Sequence, residues 1–230
     1  MKMHQLAPIA TLLCAFAANA TETHQYRLNG SLNDDVGGVS LTSNGGVLSA
    51  AGYSFAANQG LTLNADLGSV YTVDLSYHYD SHSGWQKIVD FSNLAADAGM
   101  YTLGNRYNFY PFAPDDGAAP ANGVDGSLTL TRDASALVSI YSNGALVGSF
   151  TDSAGYANFT GHAANFFIDD HATGQREAAG GLVKYLRTFD TALSAQQVMA
   201  LAAPVPEPET YAMLLAGLAA MVLVARRRRS

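Results

Sequence analysis

The sequence predicts an all-β protein with one main domain, and three observations lead to this prediction. Residues 21–193 show almost no helical periodicity. Short alternating apolar and polar runs, bounded by Gly, Asn and Asp, recur instead about every ten residues. The chain has 230 residues and 48% of them are apolar, so it can build one sizeable core. We therefore expect a sandwich of short strands and no second domain.

The first 20 residues have the character of a secretory signal peptide. Lys2 gives a positive start, residues 9–16 are apolar, and Ala18 and Ala20 are the small residues of a cleavage site. We predict a signal peptide over residues 1–20. Because Cys14 is the only cysteine of the chain, the mature protein would have no disulfide bond even in an oxidising compartment.

The main domain is predicted over residues 21–203. Its strands are recognised as alternating or continuous apolar runs between turn residues. The predicted strands are residues 24–28, 61–67, 70–79, 86–91, 100–103, 107–110, 127–131, 137–142, 145–150, 165–168 and 181–189.

The most specific local signal in this domain is the pair Asn143-Gly144, which accepts the positive φ angles of a type I′ turn. Both faces of the resulting hairpin carry apolar residues, so we expect it to lie in the centre of its sheet. The predicted cross-strand partners are Tyr141 with Leu146, Ile140 with Val147, and Leu137 with Phe150.

One short helix is predicted after the last strand. Ser194 is a good N-cap and Gln197 stands at the capping-box position. Leu193 can contact Val198 across the first turn, and the helix should end near Leu201.

Charge excludes one class of partner. Only 13% of the residues are charged, and the formal net charge is −7. Lys2 and the four arginines at 226–229 lie at the two ends, so the main domain is more acidic than the whole chain. Proteins that bind nucleic acid present a basic face. Nucleic acid is therefore excluded as a partner.

Residues 204–230 have three parts in a fixed order. A proline-rich motif comes first, an apolar run covers residues 210–225, and a basic cluster follows. At ~1.5 Å per residue, the apolar run of 16 residues spans roughly 24 Å, slightly less than a hydrocarbon core of ~30 Å. Arginines after such a run stop translocation, so we predict a short transmembrane helix. The motif and the cluster consist of Pro206, Glu207, Pro208, Arg226, Arg227, Arg228 and Arg229.

This order of Pro-Glu-Pro motif, apolar helix and arginine cluster resembles the PEP-CTERM sorting signal. The resemblance implies export through the inner membrane of a Gram-negative bacterium that makes exopolysaccharide. It also implies processing by an exosortase, which is a membrane protease. The arginines would stay in the cytoplasm, and the acidic domain would face outward.

The main domain resembles a known family in two segments. Leu130-Thr131-Arg132-Asp133 precedes the Asn-Gly hairpin of residues 138–148, and the last strand runs into a helix start within residues 182–198. Both features are similar to the laminin-G-like, concanavalin-A-like jelly roll, and the resemblance covers most of residues 25–201. That fold supports glycan binding, protein binding and polysaccharide cleavage, so the resemblance leaves the function open.

Catalysis is not expected. Glycosidases use a pair of carboxyl groups, and the resemblance implies a Glu-x-Asp-x-x-Glu pattern on one strand of a catalytic relative. That pattern is absent, and the main domain has only Glu22, near its start, and Glu177, in a Gly- and Ala-rich loop. A Gly-x-Ser-x-Gly elbow is absent as well.

Calcium is the candidate cofactor, because the domain is acidic and calcium prefers several oxygen ligands. Many laminin-G-like domains hold calcium at a loop rim, and Asp169 and Asp170 follow a predicted strand. Lys184 stands where that family often carries an acidic residue. The lysine either weakens the case for a family-type calcium site or pairs with one of the aspartate doublets. Asp doublets are more often solvated turns than metal sites. The other doublets are Asp34-Asp35 and Asp115-Asp116.

A transition-metal site is a second metal hypothesis. In an extended strand, His78, Asp80 and His82 would lie on one face, where they could bind such an ion. A solvated strand end is the alternative, and we favour it.

Aromatic side chains are the candidates for carbohydrate contacts. Trp85 follows the polar turn Ser83-Gly84 and is the candidate ligand-binding residue. Most other aromatic residues are expected in the core, because strands are rich in packed aromatic side chains. The neighbouring candidates are Tyr107, Phe109, Tyr110 and Phe112.

These observations favour an exported protein of the cell surface or extracellular matrix whose sandwich binds glycan or protein without catalysis. The expected partners are exosortase, transiently the inner membrane, and an exopolysaccharide or surface glycan. Two alternatives stay open: a carbohydrate-active hydrolase or lyase on the same fold, and a purely structural matrix or adhesion subunit.

Overall fold

The structure is a computed structural model that describes residues 20–81 and 83–202. These residues form 15 strands and one helix. In chain order the elements are β1 (Glu22–Tyr26), β2 (Thr42–Ser43), β3 (Val47–Ser49), β4 (Gly52–Phe55), β5 (Leu61–Leu63), β6 (Tyr71–Tyr79), β7 (Trp85–Asp90), β8 (Gly99–Leu103), β9 (Arg106–Tyr110), β10 (Ala113–Ala118), β11 (Gly126–Arg132), β12 (Leu137–Ser142), β13 (Ala145–Thr151), β14 (Ala164–Phe166), β15 (Gly181–Phe189) and α1 (Ala195–Ala202).

The strands form two antiparallel sheets that enclose one core, which confirms the predicted β-sandwich. The eight-stranded sheet has the order β13-β12-β11-β6-β15-β4-β3, and its eighth strand, β1, pairs with β15. The seven-stranded sheet has the order β10-β9-β8-β7-β14-β5-β2. Because β1 and β15 are neighbours, the two ends of the described sandwich are held together.

Aromatic side chains fill much of the space between the sheets. The rings of Phe91 and Phe159 have centroids 4.4 Å apart, and Tyr71 packs against Phe159 at 4.9 Å. Buried tyrosine hydroxyls need partners, and several donate to main-chain carbonyls across the core. Tyr79 on β6 donates to the carbonyl of Lys87 on β7 at 2.7 Å, which links the two sheets directly.

Most of the long predicted strands agree with the structure, but the strand predicted over residues 61–67 ends at Leu63. Residues 137–142 and 181–189 are strands with the predicted bounds. Strands β2, β3 and β4 were not predicted because they have only two to four residues, and β10 was not predicted because its six residues show no apolar alternation. The strand predicted over residues 165–168 ends at Phe166, since Phe167 has a φ of 60°, outside the extended region. Strand β1 begins at Glu22, two residues earlier than predicted.

The hairpin prediction is correct at its turn and wrong further away. Asn143 and Gly144 have positive φ angles of 49° and 81°, and Tyr141 pairs with Leu146 as predicted. A bulge then shifts the register, so that Ile140 pairs with Gly148 and Leu137 with Thr151. The expectation of a central hairpin is also wrong, because β13 lies at the edge of its sheet.

The predicted helix and its cap are confirmed. The amide of Ser194 donates to Gln197 Oε1 at 2.9 Å, and the amide of Gln197 donates to Ser194 Oγ at 3.4 Å, which forms a capping box. Leu193 and Val198 are buried in one cluster with Phe189, so α1 covers part of the outer face of the eight-stranded sheet.

The two terminal segments lie outside the described residues. Of the predicted signal peptide only Ala20 is described, and it packs against the cluster that contains Phe189 and Val198. The sorting helix and its motif residues fall beyond residue 202. Within the described ranges, none of the helices combines the length and apolar character needed to cross a bilayer.

Candidate functional site

Three aromatic residues meet on the outer face of the seven-stranded sheet. Trp85 begins β7, Tyr101 lies in β8, and Tyr110 ends β9. The Trp85 ring meets Tyr101 edge to face at 5.5 Å and Tyr110 edge to face at 5.8 Å. Tyr110 is 40% exposed and Trp85 is half-buried, whereas Tyr101 is buried beneath them. We call these three residues the aromatic edge.

Strand alternation separates the aromatic edge from the core. Tyr107 and Phe109 lie on the same strand as Tyr110, but they are fully buried. Phe112 is half-buried and packs against the core ring of Phe109. The structure therefore brings Trp85 together with Tyr110 and places the other candidates in or against the core.

A buried ionic cluster lies on the same face, below the aromatic edge. It consists of Lys87, Asp90, Asp169 and Asp170, and all four residues are fully buried. Lys87 Nζ lies 2.5 Å from Asp170 Oδ2, 3.6 Å from Asp90 Oδ2 and 3.9 Å from Asp169 Oδ1. The Tyr101 ring centroid is 4.9 Å from Nζ, so an aromatic residue closes one side.

A break in strand alternation creates the cluster. Lys87 pairs with Tyr101 and Asp90 pairs with Gly99, with a register shift between them. Tyr101 and Gly99 share a face of β8, so Lys87 and Asp90 also share a face although they are three positions apart. Gly99 makes room for the lysine, since a Cβ there would lie 3.3 Å from Lys87 Cε and 2.7 Å from the Val89 carbonyl oxygen.

A tight turn after β14 presents the other two carboxylates. Asp169 Oδ2 accepts from the Thr173 hydroxyl and the Glu177 amide at 2.8 Å each, and Asp170 Oδ1 accepts from the Thr173 amide at 2.9 Å. Burial opposes ionisation of Asp170, but the hydrogen bonds from Lys87 and the turn amides outweigh it, so its pKa is lowered. Burial, with repulsion from Asp97, raises the pKa of Glu177.

The cluster does not fit the calcium ion that the resemblance implies. A calcium site needs several oxygen ligands around the ion, and here the space among the carboxylates holds Lys87 Nζ. Among the described residues there is no group of three or more His, Cys, Asp or Glu side chains arranged to hold a metal ion. Calcium at Asp169 and Asp170 stays a prediction that this geometry does not favour.

Other candidate ligands have local partners. Asp34 contacts His24 Nδ1 at 2.7 Å and accepts three main-chain amides, which is the pattern of a turn aspartate. His78 Nδ1 lies 2.7 Å from Asp125 Oδ1, whereas His78 Nε2 and Asp80 Oδ1 are 3.8 Å apart, which is too far for a hydrogen bond. Lys184 also pairs with Asp125 and not with an aspartate doublet. His82 lies outside the described residues, and Asp115 and Asp116 fall within β10.

A polar cleft of about 500 Å³ opens on the eight-stranded sheet and was not anticipated. Its floor includes Arg187, which bonds Asp74 at 2.6 and 3.0 Å and stacks over the Tyr185 ring at 4.7 Å. Arg27 and Leu201 also line it, so the cleft begins where α1 ends. The alternation of β15 could have indicated these cleft residues from the sequence, because it places Tyr185 and Arg187 on one face.

Comparison with known proteins gives two results for the sequence. Residues 204–229 match the PEP-CTERM protein-sorting motif, which confirms that part of the prediction and indicates exosortase-sorted export. No curated protein sequence matches the chain.

Solved structures with a similar fold include parts of an arabinanase and of a sialidase. Domain 4 of AbnA, a GH43 extracellular arabinanase from Geobacillus stearothermophilus solved with arabinotriose, is 20% identical with a TM-score of 0.62. The match covers 81% of this chain and 100% of that domain. Trypanosoma rangeli sialidase is 15% identical with a TM-score of 0.61, covering 80% of this chain but 32% of the sialidase. At these identities the likeness shows the β-sandwich fold alone.

Proposed function

We propose that the protein is an exported, exosortase-processed surface or matrix component whose laminin-G-like jelly roll binds a glycan through the aromatic edge, without catalysis. The sorting motif at residues 204–229 supports delivery to the cell exterior. The arabinanase domain of the same fold, described in complex with arabinotriose, supports sugar as the class of ligand.

The observation that carries the proposal is the exposed ring of Tyr110 beside Trp85. Sugar rings present apolar C–H faces, which pack on aromatic rings, and hydroxyl groups, which need polar neighbours. Tyr110 and Trp85 are held at right angles by their contact at 5.8 Å, so they form a corner rather than a flat patch. Asn108 lies on the same face of β9 but is only 6% exposed, so it offers little surface to a ligand. A preformed corner reduces the ordering cost of binding.

The position of the carboxylates supports binding without catalysis. The three acids of the ionic cluster on this face are fully buried, which keeps them from a glycan bound at the aromatic edge. Acid–base cleavage needs carboxyl groups within hydrogen-bond reach of the scissile bond. A hydrolase or lyase and a structural subunit are the competing functions, and the test below distinguishes them.

Retention on immobilised polysaccharides tests the proposal. Residues 20–202 enclose their own core, so residues 21–203 suffice as the sample. We expect retention on one or more glycans, including the exopolysaccharide of the producing cell. Trp85→Ala and Tyr110→Ala should each weaken it at least about tenfold, since truncating an aromatic hot spot typically costs about 2 kcal/mol or more and about 1.4 kcal/mol is tenfold.

A matched control distinguishes binding at the aromatic edge from nonspecific adsorption. Met199 is 61% exposed on α1, on the outer face of the other sheet, so Met199→Ala should leave retention unchanged. Equal retention of Trp85→Ala and the parent would contradict the site. Release of reducing sugar would favour the enzyme, and no retention on any glycan would favour the structural subunit.

A further inference from the structure

The ionic cluster has the arrangement of a condensation site as well as that of an ion pair. Lys87 Nζ and Asp170 Oδ2 are 2.5 Å apart, so the amine nitrogen lies against the carboxyl group whose Cγ it would attack. We propose that Lys87 and Asp170 form an intramolecular amide, an isopeptide bond, in the folded protein. The bond would link β7 to the turn after β14.

Burial provides the first condition for this reaction. In water, hydration of the ammonium and carboxylate ions and the excess of water both oppose amide formation. Lys87 and Asp170 are fully buried, and the Tyr101 ring closes one side of the site. The ion pair is the resting form, and a dry site reduces its advantage over the reactive pair of amine and carboxylic acid, which forms when one proton moves from Nζ to Oδ2 along their 2.5 Å contact.

The turn provides the second condition, stabilisation of the developing charge. Asp170 Oδ1 accepts a hydrogen bond from the Thr173 amide at 2.9 Å. That main-chain donor faces the oxygen that becomes negative when Nζ attacks Cγ, as in an oxyanion hole. Oδ2 is the oxygen that leaves, and the Tyr101 hydroxyl lies 3.3 Å from it.

A neighbouring carboxylate provides the third condition, a proton carrier. Asp169 Oδ1 is buried, has no hydrogen-bond partner, and lies 3.9 Å from Lys87 Nζ. This oxygen has room to accept a proton from Nζ as the nitrogen attacks. Asp90, at 3.6 Å, has its oxygens engaged by Ser92 and the Leu94 amide, so it is the poorer carrier.

The atoms balance without any further reactant. The Lys87 ammonium gives one proton to Asp170 Oδ2, and the neutral Nζ attacks Cγ. As the Nζ–Cγ bond forms, Nζ gives a second proton to Asp169 Oδ1, which passes it to Oδ2, and the Cγ–Oδ2 bond breaks to release water. Nζ keeps one hydrogen as the amide, and Asp169 returns to its carboxylate form.

The bond would supply what the exported chain lacks. The only cysteine is Cys14, within the predicted signal peptide, so the mature domain has no disulfide. Lys87 and Asp170 are 83 positions apart, and a covalent link over that span constrains the unfolded chain strongly.

Peptide mapping of the full chain, purified in detergent, tests the inference. We expect trypsin not to cleave after Lys87 and residues 28–106 to appear joined to residues 133–176, lighter than their sum by one water. The chain carries its own control, because Lys184 contacts Asp125 but is 45% exposed. Cleavage after Lys184 should therefore be complete. Release of an unmodified peptide ending at Lys87 would overturn the proposal.

Two variants assign the roles. Lys87→Arg retains the charge but not the amine nucleophile, so its two peptides should be separate and its intact mass should be that of the unmodified sequence. Asp169→Asn keeps the shape of the turn and removes the proton carrier, so the linked fraction should fall at least tenfold while the circular dichroism spectrum is unchanged. A linked fraction equal to that of the parent would exclude Asp169 as the carrier.

Discussion

The buried ion pair between Arg132 and Asp152 offers a sharp test of how this sandwich is stabilised. Arg132 Nε lies 3.0 Å from Asp152 Oδ2, and the Arg132 side chain also donates to the Ser69 carbonyl at 2.6 Å. Asp152 is 1% exposed and accepts the amides of Tyr156 and Ala157, so it fixes the loop after β13.

Arg132→Met keeps most of the buried volume and removes the charge that compensates Asp152. Breaking one side of a buried pair costs about 3–5 kcal/mol, and the two remaining amide donors place this case near about 3 kcal/mol. For a domain of this size, each kcal/mol lowers Tm by about 2–4 °C, so we expect a fall of about 6–12 °C. Thermal unfolding of residues 21–203, followed by circular dichroism, measures it.

The chain contains a matched control for this variant. Arg27 Nε lies at the same 3.0 Å from Asp35 Oδ2, but the Arg27 side chain is 65% exposed. Arg27→Met should therefore cost less than about 1 kcal/mol. Adding Asp152→Asn to Arg132→Met should recover part of the loss, because the unpaired charge disappears. Equal effects of Arg27→Met and Arg132→Met would refute the argument from burial.

Three further predictions concern acid, the sorting signal and calcium. Burial opposes ionisation of Asp34 and Asp125, but hydrogen bonds, including those from His24 and Lys184 respectively, outweigh it and lower the pKa of both. Their folded-state pKa lies below the unfolded value. The stabilisation that they give is therefore present above the unfolded pKa and is lost as pH falls below about 4. A pH series of Tm values checks this. Replacing the four arginines at 226–229 with neutral residues should impair retention in the inner membrane, because each arginine costs about 2.5–3.5 kcal/mol at the bilayer centre. Unchanged membrane fractionation of this variant would contradict the role assigned to the arginines. Calcium and magnesium at equal ionic strength should shift Tm alike, since Lys87 Nζ fills the carboxylate cluster, and a calcium-specific shift would contradict this.

Local features of this fold could be predicted from the sequence because their causes are local. The Asn143-Gly144 turn and the Ser194 capping box depend on residues at most three positions apart. The bulge in β13 shifts the hairpin register although both strands keep an apolar pattern, so the pattern alone cannot reveal it. Strands β2, β3 and β4 were missed for a related reason, since strands of two to four residues carry too little periodicity.

The candidate site was harder to predict because its residues are distant in sequence. Asp169 and Asp170 were recognised as a doublet, but their partner Lys87 lies more than 80 positions away. A signal was present, since Lys87 and Asp90 flank the apolar pair Ile88-Val89 in a buried strand, where unpaired charges would be costly. Trp85 was recognised beside its polar turn, whereas its contact with Tyr110 depends on the order of three strands.

The most direct test of glycan binding at the aromatic edge uses the tryptophan itself. Trp85 is the only tryptophan in the chain, so its emission reports this site without interference from another indole. Titration with the exopolysaccharide of the producing cell should shift the emission saturably and protect Trp85 from an aqueous quencher. Emission and quenching that stay constant while the polysaccharide is bound would place the ligand elsewhere and contradict the account.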